Sequence, residues 1–342
     1  MNRKDVHDLV EKGLFPGPTE SASLIETHIS WIILTKQYAF KIKKPVVFDF
    51  LDFSTIELRK YYCEEECRLN KRLTSDMYLQ VLPVGKNGIG DEGSYPVDYA
   101  VQMRRMENTR EMHLLLNAHH VNTGDMEALA RLLVPFHQQH RLPPHFAYSV
   151  EESVRDFGDL FHVEDALSTY HLPNFHRFEA WKEEVPAFLR QHSGRFQERI
   201  AAGWWVEGHG DLHSRNIFLP PQQPPVIFDC IEFNRHFRCM DVLDELAFLC
   251  MDLEMHKRAD LARAFLNSYK SLWNCFEVPE DTCIFNYFKA YRANVRLKVA
   301  ILSQQQHLGA KQAHLIHQYW DLLSGYMNVL WQTAEAENDN PV

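Results

Sequence analysis

The chain has 342 residues, of which 45% are hydrophobic and 24% charged, and its formal net charge is −10. This length provides for two domains or one two-lobed unit with a sizeable core. The acidic balance and the lack of a long basic run exclude the electrostatic footprint of a nucleic-acid-binding protein. The sequence has no apolar stretch near the roughly 20 residues that span a bilayer and no signal-peptide pattern, which predicts a cytoplasmic protein.

The cysteines point to a reduced protein. They are seven in number and lie scattered through apolar segments, which does not suit a disulfide framework. Cys63 and Cys67 are one helical turn apart, but no second pair with zinc-site spacing accompanies them. We therefore interpret the cysteines as structural thiols.

The first hundred residues have the pattern of a small sheet. Their β-rich runs lie at 22–27, 30–35, 38–44, 79–84 and 97–103. The turns between the first three runs are too short for crossovers, which predicts an antiparallel meander. Before the fourth run, Ser54-Thr55-Ile56-Glu57 is a predicted capping box that begins a helix reaching about Leu73. We expect a five-stranded sheet with this helix, preceded by a short helix within residues 1–20.

After Met106 the pattern becomes helical. Helices are predicted near 109–119, 124–140, 176–200, 241–253, 258–274, 281–306 and 311–332. The exception is 215–229, where two apolar runs flank a proline-rich turn and predict a β-hairpin. The predicted fold is therefore α+β and two-lobed, with the coarse layout of kinases.

The strongest chemical signal is the segment His209-Gly210-Asp211-Leu212-His213-Ser214-Arg215-Asn216. It fits the kinase catalytic-loop pattern, in which His and Asp two residues apart are followed by Asn five residues later. Phosphoryl transfer needs a carboxylate at the acceptor hydroxyl, a task that suits Asp211. Asn216 offers Mg²⁺ a hard carbonyl oxygen. Asp229, at the end of an apolar strand, is the second predicted metal ligand.

HGDLHxxN, the strand ending in Asp229 and the later stretch DVLDELA resemble the aminoglycoside phosphotransferase and choline kinase superfamily. The resemblance implies a protein-kinase-like fold, ATP or GTP with Mg²⁺ as cofactors, and a small-molecule hydroxyl as phosphate acceptor. It places His209 and His213 in the catalytic loop, His213 where protein kinases carry a lysine near the γ-phosphate. Asp244 corresponds to the aspartate that braces this loop. The implied division is a nucleotide-binding lobe at 1–106, a catalytic and acceptor-binding lobe at 107–335 and a disordered tail at 336–342.

The segments ETHISW, YAFKIKKPV, FLDFST and CEEE carry a more specific resemblance. They are similar to the kinase-like portion of bacterial proteins that join a phosphotransferase-like domain to a P-loop ATPase domain. No GxxxxGK[ST] sequence occurs in this chain. We therefore expect a stand-alone version.

The same resemblance predicts a strand lysine paired with a glutamate of the helix. Strand alternation places Ala39 and Lys41 on one face, where the small Ala39 leaves room for adenine. Lys43 shares that face and is the alternative lysine. Glu66 falls within the inward stripe of the helix. A buried carboxylate needs a cation, and Lys41 is the predicted partner.

The remaining nucleotide contacts are predicted less directly. The turn between the first two strands lacks the glycine-rich phosphate loop. Backbone amides and the hydroxyl of Thr27 or Ser30 are expected to cover the phosphates. Backbone groups from Met103 through Arg104 to Arg105 form the predicted hinge that bonds adenine.

A cationic row on one helix suggests how an acceptor is held. Lys289, Arg292 and Arg296 lie three and four residues apart and share a face. Arginine binds carboxylate and phosphate bidentately, so Arg292 and Arg296 are candidates for an anionic acceptor such as a sugar phosphate. Glu232 is a further candidate acceptor residue. The alternative is a solvated face with salt bridges.

Three other classes of protein fit parts of this pattern. A nucleotide-binding pseudokinase or regulatory module is favoured by the missing glycine-rich turn. An atypical protein kinase is disfavoured because only eleven residues separate Asp229 from Asp241, too few for an activation segment. A two-metal phosphoesterase could use His209, Asp211, His213 and Asp229, but its further metal motifs are missing. The oligomeric state is open.

Overall fold

The computed structural model describes residues 1–12, 14–17, 21–74, 76–306 and 310–338. The strands are β1 (Ser23–Glu26), β2 (Ser30–Leu34), β3 (Tyr38–Lys43), β4 (Val47–Phe48), β5 (Leu51–Asp52), β6 (Tyr78–Gly85), β7 (Gly88–Ile89), β8 (Asp98–Arg104), β9 (Trp205–Glu207), β10 (Ile217–Phe218), β11 (Val226–Ile227) and β12 (Cys239–Asp241). The α-helices are α1 (Arg3–Lys12), α2 (Ile56–Asn70), α3 (Met112–Asn117), α4 (Thr123–Gln139), α5 (Val150–Gly158), α6 (Glu164–Ser168), α7 (Arg177–Gln191), α8 (Ser193–Ala201), α9 (Val242–Met255), α10 (Ala259–Leu272), α11 (Glu280–Gln306) and α12 (Ala310–Asn338).

The chain divides into two compact units. The first comprises Met1–His120, His209–Asp211 and Arg215–Arg238, and the second comprises Val121–Gly208, Leu212–Ser214 and Cys239–Val342. The first is built on an antiparallel sheet and the second is mainly helical, which confirms the predicted α+β, protein-kinase-like fold class. The predicted boundary after Met106 falls inside the first unit, because Glu111 forms an antiparallel bridge with Phe218 of the same unit.

The main sheet of the first unit has six strands, in the order β1-β2-β3-β8-β6-β7. It contains the five predicted strands, and the two-residue β7 adds the sixth. Strand β3 lies near the middle, with Ala39 opposite Met103 and Lys41 opposite Val101 on β8. Buried Phe40 and Ile42 face the side of α1. Ala39 instead packs with residues of α2, as the alternation of β3 predicts.

Helix α2 begins one residue later than the predicted capping box requires. Its N-cap is Thr55, whose hydroxyl accepts from the Leu58 amide at 3.2 Å. Ser54 was the predicted cap, but its amide instead donates to Asp52 Oδ1 at 2.8 Å in a local turn. The predicted cap residue is therefore wrong, although the predicted helix is present and ends at Asn70.

In the second unit α9 is almost entirely buried and is in contact with α10, α11 and α12. The pattern predicted as one helix at 176–200 forms two, α7 and α8, and the short α5 and α6 were not predicted. Helix α12 continues through Asn338, so 336–338 of the predicted tail are helical, and 339–342 lie outside the described residues. Within the described ranges, no helix combines the length and apolar character that a membrane crossing requires.

Candidate active site

Five charged side chains of the first unit form one cluster, to which β3 contributes Lys41 and Lys43. The Lys41 ammonium donates to Glu66 Oε1 at 2.8 Å and to Asp229 Oδ1 at 2.6 Å. The Lys43 ammonium donates to Glu66 Oε2 at 2.8 Å and also to Glu232. The predicted contact between Lys41 and Glu66 is confirmed. Lys43, the alternative partner, also binds Glu66, because each of the two carboxylate oxygens accepts from a different lysine.

Burial makes this cluster depend on its pairing. Glu66 and Lys43 are fully buried and Lys41 is 7% exposed. Burial alone would raise the pKa of Glu66, but Lys41 and Lys43 together lower it to about 2. Burial would likewise lower the pKa of Lys41, whereas the carboxylates of Asp229 and Glu66 raise it well above its usual value. The pairing of Lys41 with Glu66 therefore favours the charged forms of both groups.

Asp229 occupies a backbone position that few residues tolerate. Its φ of 63° lies in the left-handed region, where Asp and Asn are enriched among residues other than glycine. The Asp229 amide donates to the Tyr78 hydroxyl at 3.1 Å, and the next amide, that of Cys230, donates to Asn70 Oδ1 at 3.0 Å. These bonds hold the loop, while the Asp229 side chain is 43% exposed. The carboxylate is thus fixed in direction and open to a ligand.

The catalytic-loop motif is tied to the same loop through His209. Its Nε2 lies 2.8 Å from the Phe228 carbonyl oxygen, and its Nδ1 accepts from the Asp211 amide at 3.2 Å. A carbonyl oxygen can only accept, so the proton is on Nε2 and the ring is neutral. The Ile231 amide also donates to the His209 carbonyl at 3.1 Å. His209 is fully buried, and its predicted role in catalysis stays a prediction.

Asp211 and Asn216 are brought together as the motif predicts. The Asn216 side-chain amide donates to the Asp211 carbonyl at 3.0 Å and to Asp211 Oδ2 at 3.1 Å. Between them and His209, Gly210 has a φ of 89°, and a Cβ there would lie 2.8 Å from the Phe237 carbonyl oxygen. Only glycine fits this approach. The Asp211 backbone is therefore held at the His209 end of the loop, and its carboxylate is held by Asn216.

A largely apolar slot opens beside Lys41 within the first unit. The space between its walls is about 640 Å³, including the part open to solvent. Its apolar walls include Ile32, Ala39, Met77, Met103, Phe218 and Phe228. Lys41 and Asp229 are among its few charged residues.

The predicted hinge and the predicted phosphate-covering turn differ in which of their hydrogen-bonding groups are already occupied by the protein. The amides of Arg104 and Arg105 donate to the carbonyls of Met77 and Gln37, each at 2.8 Å. Neither amide is open to adenine, so the predicted hinge contact through them is wrong. At the other strand, the Thr27 hydroxyl is bonded within its own turn, to the amide and carbonyl of Ser30. The buried Ser30 hydroxyl has no hydrogen-bond partner among the described residues.

His213 and its surroundings belong to the second unit. The ring is 4% exposed and lies 5.5 Å from the Phe248 ring. The carboxylate that holds this part of the loop is Asp252, which accepts from the Ser214 amide at 2.8 Å. Burial would raise the pKa of Asp252, but His213, His256 and the Ser214 bond lower it. Sequence reasoning missed Asp252, because an aspartate in mid-helix with apolar neighbours was its only signal.

Asp244, which was predicted to brace the catalytic loop, lies buried on α9 in the second unit, and that role stays a prediction. Its carboxylate forms a buried bidentate pair with Arg292, at 2.6 and 2.7 Å. Burial nevertheless raises the pKa of Asp244 to about 6 against the opposing effect of Arg292. Arg292 is 6% exposed, so its guanidinium is not available to an acceptor.

The rest of the predicted acceptor row is also engaged internally. Lys289 forms an ion pair with Glu254 at 3.3 Å, and the Arg296 guanidinium lies 5.9 Å from the centre of the Tyr319 ring. Glu232 is 5% exposed and bound to Lys43. The prediction of an acceptor clamp is therefore wrong for Arg292 and Glu232. The spacing of residues along a helix predicts which of them share a face. It does not predict which other element packs against that face.

The pair of Arg292 and Asp244 allows a prediction about stability. We expect Arg292→Met to lower the free energy of unfolding by about 3–5 kcal/mol, because Asp244 would be left buried without its cation. Urea denaturation followed by circular dichroism measures the change. As a control, Lys289→Met removes a partly exposed ion pair and should cost at most about 1 kcal/mol. Equal losses in both variants would contradict the assignment.

Metal-binding residues are few in this part of the molecule. Within the described ranges, no group of three or more His, Cys, Asp or Glu side chains could hold a metal ion. Asp229 and the side-chain oxygen of Asn216 remain the two candidates. Two oxygen ligands suit Mg²⁺, which keeps several waters and is usually bound together with substrate phosphates.

Comparisons with known proteins agree with this architecture. No family model matches the sequence. Uncharacterized proteins of Mycobacterium tuberculosis and Mycobacterium bovis are each 33% identical to the chain over 280 residues, covering 80% of this chain and 53% of theirs. The chain thus spans about half the length of the curated relatives that it matches.

Solved structures resemble the chain along nearly all of its length. A choline kinase from Cryptosporidium parvum has a TM-score of 0.58 with 10% identity, covering 97% of each chain. The GDP complex of wild-type aminoglycoside 2'-phosphotransferase-IIIa has a TM-score of 0.51 with 13% identity, covering 95% of this chain and 98% of its own. The chain therefore has the protein-kinase-like fold of aminoglycoside phosphotransferases and choline kinases.

Proposed function

We propose that the chain is a small-molecule kinase, which moves the γ-phosphate of ATP or GTP onto a hydroxyl group. The observation that carries this proposal is the apolar slot with Lys41 and Asp229 among its lining residues, Lys41 being bound to both Glu66 and Asp229. An apolar slot suits a purine base, and a buried ammonium beside an open carboxylate suits phosphates with a metal ion.

The purine is proposed to lie between Ala39 and Met103 on one side and Phe228 on the other. Since the amides of Arg104 and Arg105 are occupied, the next amide, that of Met106 in the wall of the slot, is the proposed donor to the base. It has no backbone acceptor among the described residues. Apolar side chains around the ring and one backbone N–H donor would orient the base within the slot.

The phosphates are proposed to follow toward Lys41 and the Ser30 hydroxyl. The unpartnered Ser30 hydroxyl lies on the strand that also carries Ile32, two residues along and on the same face. Asp229 and Asn216 would hold Mg²⁺, which when bound neutralises phosphate charge. Lys41 then exchanges its bond with Asp229 for a phosphate oxygen, while Glu66 keeps the ammonium in place.

Asp211 is the proposed general base. As the acceptor oxygen bonds to the γ-phosphorus, its proton passes to the Asp211 carboxylate, and the bond from the γ-phosphorus to the nucleotide's bridging oxygen breaks. Asn216 orients this carboxylate through its side-chain amide. His209 positions the loop, and His213 remains a proposed contact near the γ-phosphate.

The relation to longer proteins is part of the proposal. Curated relatives match over about half of their own length, and the sequence segments noted above resemble a kinase-like portion joined to a P-loop ATPase domain. We propose that the chain corresponds to that portion.

Calorimetric titration of ADP and ATP, with and without Mg²⁺, tests the proposed function. ADP release from ATP, with water as acceptor, separates an active kinase from a pseudokinase that only binds the nucleotide. A screen of phosphorylated products in cell extract, read by mass spectrometry, then identifies the acceptor. Absence of nucleotide binding would overturn the proposal, and phosphorylated peptides as main products would favour a protein kinase.

Filling the slot should block the nucleotide. We expect Ala39→Phe to raise the Kd of ADP by more than about tenfold, because the new ring occupies the proposed position of the base. The exposed Ala201 on α8 provides the control, since Ala201→Phe adds the same ring away from the slot. Equal ADP affinities of both variants, measured by titration calorimetry, would contradict the assignment.

A further inference from the structure

A second lysine–glutamate pair lies behind the one that the proposed function uses. The fully buried Lys43 binds Glu66 and Glu232, and its ammonium lies 5.0 Å from the centre of the Phe53 ring. Lys41 and Asp229 belong to the lining of the slot. Lys43 and Glu232 are not among the described residues of that lining. A nucleotide in the slot therefore meets Lys41 and not Lys43.

The two pairs belong to one series of five groups of alternating charge. Asp229 binds Lys41, Lys41 and Lys43 share Glu66, and Lys43 binds Glu232, three residues after Asp229 in the same loop. Helix α2 is thus connected to this loop twice, once through each lysine. Burial raises the pKa of Glu232 and Lys43 opposes this effect, so this carboxylate depends on its cation.

Only one of these two connections competes with a nucleotide. With a nucleotide bound, Lys41 would donate part of its hydrogen-bonding capacity to a phosphate, and Asp229 would hold the metal ion. The bond between Lys41 and Asp229 would then be weakened or lost. The bonds of Lys43 remain, since all three of its neighbours Glu66, Glu232 and Phe53 are buried protein groups.

We propose that Lys43 and Glu232 are a positioning pair, which keeps Glu66 and the Asp229 loop in place while Lys41 exchanges Asp229 for the phosphates. This inference rests on the proposed function. Because Asp229 has a left-handed backbone, the direction of its carboxylate depends on how firmly the loop is held. The pair therefore governs the metal-dependent part of nucleotide binding, and the base contacts in the slot do not depend on it.

Titration calorimetry with ADP as the probe, with and without Mg²⁺, tests the pair in Lys43→Met, Glu232→Gln and the double variant. We expect each single variant to reduce the enhancement of ADP affinity by Mg²⁺ about tenfold, while the affinity for metal-free ADP is kept. The double variant should lose no more than either single one, because one connection is broken in all three. If Lys43→Met does not fold by circular dichroism, Glu232→Gln decides alone, since it keeps the shape of the side chain and the bond of Lys43 with Glu66.

Glu65→Gln is the matched control. It lies beside Glu66 on α2 and loses an ion pair of similar length, with Arg68 at 2.7 Å, on the surface. Its Mg²⁺ enhancement should equal that of the wild type. Unchanged enhancement in both single variants, or losses that add in the double variant, would overturn the positioning pair and leave the proposed function intact. A wild-type chain that binds no ADP would overturn both.

Discussion

Asp211→Asn is expected to reduce the rate of ADP release from ATP by about 10²–10⁴-fold, the usual contribution of a positioned base. The amide cannot take the acceptor proton, although its shape still fits the contact with Asn216. The bond to the His209 ring comes from the backbone amide and is unchanged. Nucleotide affinity and thermal stability should therefore change little. The rate is measured at saturating Mg²⁺ and ATP, and the affinity by titration calorimetry with ADP.

Asp52→Asn serves as the control for this substitution, since Asp52 is an exposed aspartate of the same unit. Its rate should be that of the wild type. An Asp211→Asn rate within about threefold of the wild type would remove Asp211 from the role of base. A fall in ADP affinity that matches the fall in rate would instead indicate a role in binding.

Asp229→Asn is expected to abolish most of the effect of Mg²⁺ on nucleotide affinity, a loss of about tenfold or more. Asparagine tolerates the left-handed backbone almost as well as aspartate, so the charge is removed without straining the loop. The measurement is the Kd of ADP with and without Mg²⁺. Lys41 also loses its second anion in this variant, so metal-free ADP should bind at least as tightly as before.

The loop between β4 and β5 provides a comparison for Asp229→Asn. There Asp49 is an exposed aspartate, and Asp49→Asn should keep the full Mg²⁺ effect. If Asp229→Asn also keeps it, the metal ligand lies elsewhere and the chain has no demonstrated route to phosphoryl transfer through this residue. Weaker metal-free binding would indicate that Asp229 mainly orients Lys41.

The sequence was sufficient for the parts of the site that follow from local periodicity. The two-residue repeat of β3 placed Ala39 and Lys41 on one face, and the helical repeat of α2 placed Glu66 inward. A buried carboxylate then required a cation, and the predicted pair is present at 2.8 Å. The catalytic-loop spacing likewise brought Asp211 and Asn216 within hydrogen-bonding distance.

The predictions that the structure did not bear out concern residues whose contacts come from distant segments of the chain. Arg292 lies on a helix face that the sequence correctly describes, but α9 covers it with Asp244, 48 residues away. The neutral, buried role of His209 depends on the carbonyl of Phe228, which only the folded hairpin supplies. The predicted contact of adenine with hinge backbone groups did not allow for the occupied amides of Arg104 and Arg105, because strand pairing and the turn at Gln37 cannot be read from propensity alone.

The left-handed backbone of Asp229 also has a consequence for how such a chain diverges over generations. Glycine and asparagine fit the same φ without strain, and each is one nucleotide change away from an aspartate codon. Both keep the fold, and under the proposed function both remove the metal ligand. Most substitutions at this position that preserve the fold would therefore abolish phosphoryl transfer. Descendants that bind the nucleotide without turnover could thus arise from this sequence by a single substitution.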